Sequence, residues 1–327
     1  INENYLAADG IENVIRVLEE IEDEGRVLRV FRMLPKDISS DVFSYMTSEQ
    51  QQLIAESATN AELKALVDDM FMDDTVDFLE EAPANLVKKV LRNTDAGTRQ
   101  LINRFLNYPE NSAGSLMTIE FVRLRANMTV AKALSEIKRV GMDKETIYTC
   151  YVTEQRKLVG TVSAKELMTS DDNMRIEELM ETELIFVRTH TDQEEVAKLF
   201  TKYDLIALPV LDEEDYMVGI VTFDDAMDVM VDEATEDITK MAAINPSEKT
   251  YFDTSVFTHA KNRIPWLLIL MFTSIITGTI ITKYENAFAA IPLLVSFIPM
   301  LMDTGGNAGS QSSVTIIRGL SLGEISM

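Results

Sequence analysis

The 327-residue sequence is 46% hydrophobic, enough to bury the cores of two or three domains rather than one. Its 54 Asp and Glu against 30 Lys and Arg give a formal net charge of −24, which excludes a nucleic-acid-binding surface and suits a protein that handles cations. The one cysteine, Cys150, and two histidines leave neither an intrachain disulfide nor a Cys/His zinc site, and they fit a reducing, cytoplasmic setting.

Residues 1–30 are charged and helical in pattern, with no signal peptide. Because the chain starts at Ile1 rather than Met, the true N-terminus is expected to lie upstream. Ile11, Val14, Ile15, Leu18 and Ile21 form one apolar stripe, and Pro35, Pro83 and Pro109 punctuate further short helices, so residues 1–112 read as an acidic helical-repeat domain. Between Ala65 and Val87 there is no Lys or Arg, while Asp69, Asp73, Asp77 and Glu81 recur at every fourth position, flanked by Asp68, Asp74 and Glu80.

Residues 115–235 contain a duplication. Leu116-Met117, FVRLRANMTVAKAL and LVGTVSAKEL recur as Leu179-Met180, FVRTHTDQEEVAKLF and MVGIVTFDDAM. Each copy reads as a strand, an amphipathic helix, and a second strand leading into another helix, with Gly160 and Gly219 expected in equivalent turns. The arrangement resembles a tandem pair of CBS domains, regulatory modules that often bind adenine nucleotides, with boundaries at 113–176 and 177–223.

Next comes an acidic connecting helix over 224–244. Asp224, Asp225, Asp228, Asp232, Glu233, Glu236 and Asp237 carry seven carboxylates with no base among them. On a helix, Asp225, Asp228, Asp232 and Glu236 share one face, where like charges cost a few tenths of a kcal/mol per pair, about 0.2–0.5. The face is either simply solvated or opposed by something positive. Two lysine-free acidic faces in different domains can dock only with cations between them, and hard oxygen ligands favour magnesium or calcium. Magnesium retains several waters, so no closed cage is required.

After a linker at 245–263 the composition changes. Pro265–Thr282 carries no charge and at ~1.5 Å per residue spans ~27 Å, enough for a membrane helix, the alternative being a buried core helix. A polar turn, Lys283–Asn286, leads to Ala287–Ile317, apolar except around Asp303, so 264–327 is expected to hold two transmembrane helices. Lys261, Arg263 and Arg318 at their outer ends place the front of the chain in the cytoplasm by the positive-inside rule. Asp303, Asn307 and Gln311, spaced by four, are too polar for lipid and read as lining a water-filled path, while Gly305 and Gly309 offer a helix-packing surface.

The order of these parts, with Asn111-Ser-Ala-Gly-Ser-Leu-Met-Thr118, Thr146-Ile-Tyr148, Thr191-Asp-Gln-Glu-Glu-Val-Ala197, Ala234-Thr-Glu-Asp237 and Gly305-Gly-Asn-Ala-Gly-Ser-Gln311, resembles the MgtE family of magnesium channels over the whole chain. The resemblance implies an α plus α/β multidomain architecture: helical N-terminal domain, CBS pair, long connecting plug helix and the first two transmembrane helices. It implies a homodimer in the cell membrane, multi-pass, with a cytoplasmic N-terminal region. It implies a magnesium-selective pore that bound intracellular Mg2+ holds closed; the sequence does not separate Mg2+ from Mn2+ or Co2+. By motif match the Mg2+ ligands would be Asp73, Asp77, the Gly114 region, Asp204, Asp225, Asp228, Glu233, Glu236 and Asp237. ATP would bind the CBS cleft at Tyr148, Lys165 and Glu166. The family's later helices and its last-helix pore aspartate are not in the sequence, so the chain as given is expected not to conduct. The competing function is an adenine-nucleotide sensor of CBS type, anchored to or regulating a different transporter. No nucleophile with a base, P-loop or dinucleotide fingerprint is present, and His190 and His259 lack metal-ligand spacing, so no enzyme is expected.

Overall fold

The computed structural model describes residues 11–21, 23–245, 254–321 and 325, in two compact units that divide between Met227 and Asp228. The first unit begins with eight short helices among the described residues: α1 (Ile11–Glu19), α2 (Glu24–Arg32), α3 (Lys36–Ser44), α4 (Ser48–Ser57), α5 (Asn60–Asp69), α6 (Met72–Glu81), α7 (Ala84–Asn93) and α8 (Ala96–Phe105). Local chemistry sets their ends. Asp23, Thr47 and Asp95 accept hydrogen bonds from first-turn amides, and Thr59 with Glu62 closes a capping box. Pro35 and Pro83 stand at the N-caps of α3 and α7. Each helix packs on the next but one, α1 on α3, α2 on α4, α3 on α5, α5 on α7 and α6 on α8, which is the stacking of a helical repeat. Val14 and Leu18 of the first apolar stripe are buried, and Phe43 meets Phe31 and Phe78 edge-on at 6.1 and 5.1 Å. The Lys89 ammonium donates to the Ala55 and Ala58 carbonyls, both at 2.8 Å, and so covers the C-terminal end of α4.

One expectation changes here. The four-residue acidic repeat Asp69, Asp73, Asp77, Glu81 does not lie on one helix, because α5 ends at Asp69 and α6 begins at Met72. Met70 and Phe71 between them are extended, so Asp69 is turned away from the face that Asp73 and Asp77 share.

A short helix α9 (Ala113–Leu116) leads to two repeats of one plan. The first runs β1 (Phe121–Leu124), α10 (Val130–Val140), β2 (Thr146–Glu154), β3 (Lys157–Ser163), α11 (Ala164–Thr169). After α12 (Ile176–Leu179), the second runs β4 (Val187–Arg188), α13 (Gln193–Tyr203), β5 (Ala207–Leu211), β6 (Met217–Thr222), α14 (Phe223–Met241). In each repeat the first strand pairs parallel with the second, and the second antiparallel with the third. Each therefore has three strands rather than the expected two, the additional one being β2 or β5. Gly160 and Gly219 lie within β3 and β6, opposite Val152 and Val210, and not in turns.

The glycines are needed because the repeats exchange segments. Thr118 and Ile220 trade backbone hydrogen bonds at 2.8 and 2.9 Å, and Glu181 and Thr161 do so at 2.8 and 3.0 Å. The preceding methionine covers the glycine in each case: a Cβ on Gly219 would stand 2.7 Å from Met117 Sδ and 2.7 Å from the Thr118 carbonyl, and one on Gly160 would stand 2.6 Å from Met180 Sδ.

In the second unit, α15 (Val256–Lys283) begins before the expected Pro265, with Ser255 as N-cap, and Pro265 lies inside it. It is the one helix among the described residues long and apolar enough to cross a membrane. Thr273, Ser274, Thr277, Thr279 and Thr282 return their hydroxyls to carbonyls four residues back, so no hydroxyl is left bare. The expected second span is divided into α16 (Glu285–Ala290) and α17 (Leu293–Ser321). α17 is long enough to cross a membrane, but its polar run through Asp303, Asn307, Gln311, Ser312 and Ser313 lowers its hydropathy, and only one of the two expected spans meets the composition of a crossing helix.

The exchange predicts unequal costs for adding a methyl group. Gly219→Ala drives Cβ into a fixed carbonyl and is expected to lower stability by about 1–3 kcal/mol, whereas the nearest atoms to a Cβ at Gly160 all belong to the movable Met180 side chain, so Gly160→Ala should cost less. Urea midpoints of a fragment ending at residue 245 measure both, and equal shifts would contradict the assignment.

Candidate functional site

Carboxylates from three places meet in one seam of the first unit. α6 brings Asp73, Asp74 and Asp77, α14 brings Asp224 and Asp225 in its first turn, and Glu145 precedes β2. Asp73 is buried at 8% exposure. No carboxylate of the group pairs with a Lys or Arg among the described residues. The partners it has are weak or local: Asp73 accepts from the Asp74 amide at 3.0 Å, and Asp225 accepts from the Thr222 hydroxyl at 2.6 Å. One oxygen of Glu145 is buried with no partner. The first turns of α6 and α14 present partly positive helix ends, which offset some of this charge.

Desolvation, followed by mutual repulsion, raises Asp73, Asp74, Asp77, Glu145 and Asp225. Burial and then Asp225, Asp74 and Glu145 hold Asp73 well above the usual carboxylate range. Asp77 is exposed on α6, yet desolvation by the surrounding protein first, then Asp225 and Glu80, bring it to about 7. Asp225 is raised to about 7 by burial, against the lowering hydrogen bond from Thr222. Glu145 is raised to about 8 by burial and by Asp224 and Asp225, and Asp74 to about 6 by burial. Each acid gains protons on folding that the unfolded chain, with carboxyl values near ~4, has already released.

The other expected ligands fall elsewhere in the fold. Gly114 is buried in α9, its amide donating to the Thr189 carbonyl at 2.9 Å, and a Cβ there would meet Tyr108 at 2.7 Å. Asp204 is exposed and ends α13 in the left-handed conformation at φ 51°. Asp228, Glu233, Glu236 and Asp237 continue along α14, where Lys240 pairs with Glu236 and the Ser321 hydroxyl donates to Asp237. Among the described residues no three His, Cys, Asp or Glu side chains converge closely enough to chelate a metal directly. Glu145 was not foreseen: it stands alone after Lys144, outside any acidic run, and only the fold carries it to the seam.

Tyr148 is exposed on β2, and Lys165 and Glu166 lie on α11, where Glu166 completes a capping box with Ser163. Asp303, Asn307 and Gln311 share one exposed side of α17, and a Cβ added at Gly305 or Gly309 would meet open space.

The seam fixes the sign of a pH effect. Between about pH 4.5 and 8 the folded state binds protons that the unfolded chain has lost, so stability falls as pH rises through 6 to 8. Without divalent ions, the urea midpoint of the fragment ending at residue 245 should be lower at pH 8 than at pH 5.5. A midpoint that is flat or rises over that interval contradicts the seam.

Comparison with known proteins places these parts. Residues 10–111 match the family model of the MgtE intracellular N domain, and 113–172 and 176–232 each match the CBS domain. The magnesium transporter MgtE of Thermus thermophilus is 35% identical over 321 residues, covering 97% of this chain and 71% of the relative. That of Bacillus subtilis is 33% identical over 310 residues, 94% and 68%. The crystal structure of the cytosolic domain of the Mg2+ channel MgtE in complex with ATP superposes with a TM-score of 0.65 at 34% identity, over 69% of this chain and 93% of that one. The soluble part of a magnesium transporter superposes with a TM-score of 0.67 at 30% identity, over 71% and 91%. Helical domain, paired repeats and membrane segment together make this chain a member of the MgtE family of magnesium transporters.

Proposed function

We propose that the chain is one subunit of a homodimeric, magnesium-selective channel whose cytoplasmic region senses intracellular Mg2+ and closes the pore when the ion is bound. The observation that carries this reading is the seam: buried Asp73 and its neighbours come from the helical domain, the first repeat and the start of α14, with no cation among the described residues to balance them. A hydrated divalent ion offsets such repulsion without a closed cage, because magnesium keeps several waters and binds carboxylates partly through them. Asp73, Asp77 and Asp225 would act at this seam. Asp228, Glu233, Glu236 and Asp237 would extend the effect along α14, and Gly114 and Asp204 would contribute at their own places. Mg2+ is then both the cargo and the signal.

Binding at the seam favours the arrangement that brings α6 and α14 together, and an ion shifts an equilibrium only by its preference for one state. Moving from 1:99 to 99:1 needs roughly 5.5 kcal/mol, so several weak sites acting together are required. ATP in the CBS cleft, with Tyr148, Lys165 and Glu166, would be a second input, a reading favoured by the ATP-bound relative. In the membrane, Asp303, Asn307 and Gln311 would line the ion path, where a polar side chain facing lipid would be too costly.

Replacing Asp73, Asp77 and Asp225 together by Asn removes ligand charge and repulsion alike. At high Mg2+ the ligand loss dominates, so in patch recordings of the native transporter the triple variant should keep conducting at cytoplasmic Mg2+ that silences wild type. Closure at the same concentration in both would remove the seam from sensing. Independently, Asn307→Leu should abolish Mg2+ uptake while the dimer persists on size-exclusion chromatography, and wild-type uptake would move Asn307 into helix packing.

A further inference from the structure

Away from the acidic seam, the first unit holds a cavity of about 450 Å3 where α8, the first repeat and the start of β6 meet. In a chain of net charge −24 its lining is basic: Arg104 from α8, Arg123 from β1, Lys144 before β2, and Arg156 from the β2–β3 turn. Among the described residues none of these four forms an ion pair with a carboxylate. The one acid in the lining, Glu136, is already paired with Arg139.

Two of the cations are held in place. Arg123 stacks on Phe121 at 4.6 Å, and Arg156, in the left-handed conformation at φ 70°, lies over Tyr216 at 5.5 Å while its carbonyl accepts from the Met217 amide at 3.0 Å. Desolvation, then the neighbouring Arg156, lower the Arg123 guanidinium from its ordinary value, as expected for like charges brought together without an anion.

We propose that this cavity is a binding site for a compact condensed phosphate, with pyrophosphate or a bare triphosphate spanning Arg104, Arg123, Lys144 and Arg156. Four cations around one cavity ask for several negative charges on a small body, and guanidinium groups match phosphate oxygens in paired hydrogen bonds. The lining offers no free ring for a nucleobase, because the Phe121 face is covered by Arg123 and Phe105 is buried in the helical core. Tyr148, Lys165 and Glu166 are absent from the lining, so the cavity is separate from the nucleotide cleft expected at those residues. An occupant would tie α8 to the first repeat.

Isothermal titration calorimetry of the 327-residue chain in detergent and divalent-free buffer tests the site, with pyrophosphate, tripolyphosphate, ATP, AMP and sulfate compared at matched ionic strength. Pyrophosphate and tripolyphosphate should bind saturably, and sulfate and AMP at least about tenfold more weakly. Arg156→Gln should weaken pyrophosphate by about tenfold or more, the loss of one charge-assisted contact. Arg104→Gln, at an exposed position on α8, should do the same without changing the unliganded melting temperature. Lys165→Gln should leave pyrophosphate affinity unchanged. Pyrophosphate binding no stronger than sulfate, wild-type affinity in both arginine variants, ATP binding without tripolyphosphate binding, or loss of pyrophosphate binding in Lys165→Gln would each overturn the proposal.

Discussion

Carboxylates that repel one another at close range are the constraint on which the rest of the first unit depends. Left alone, Asp73, Asp74, Asp77, Glu145, Asp224 and Asp225 would separate, since desolvated like charges are costly. They are held by an apolar core that runs without a break from Leu18 and Phe43 of the helical domain, through Phe105 and Met117, to Val210 and Ala226 of the second repeat. Each large side chain so buried contributes about 1.5–3 kcal/mol. The core fixes the geometry, and the seam answers by keeping protons that free carboxylates would have released.

The seam also lies at the junction of β6 and α14. β6 runs straight into α14 at Thr222 and Phe223, so the segment that holds Asp225 is the start of the helix leading toward the membrane segments. The repeats are locked reciprocally, Met117 against Gly219 and Met180 against Gly160, with paired backbone hydrogen bonds at each crossing. The pair therefore forms one body against which α6 and the first turn of α14 are positioned. A change of charge at the seam acts on that body and on the first turn of α14 together.

The basic cavity is the electrostatic complement of the seam in the same unit. Acid and base are kept in separate places by the two sides of one scaffold, with Glu145 serving the seam and its chain neighbour Lys144 lining the cavity. In α15, apolar composition and hydroxyls turned back onto carbonyls make a helix that tolerates lipid, whereas the polar side of α17 requires protein or water beside it.

Chemistry that is local along the chain was determined by the sequence alone. Periodicity marked the helical repeat and the duplicated domains, uncharged length marked α15, and runs of Asp and Glu marked Asp73, Asp77 and Asp225. Spacing also put Asp303, Asn307 and Gln311 on one side of α17. What depends on contacts between distant residues was decided only by the tertiary structure. The break at Met70 and Phe71 turned Asp69 away from Asp73, the strand pairing of β3 and β6 took Gly160 and Gly219 out of turns, and folding carried the isolated Glu145 into the seam and four scattered cations around one cavity. The reason is physical: periodicity records which face of an element is buried, while charge acts through space between groups that chain order leaves far apart.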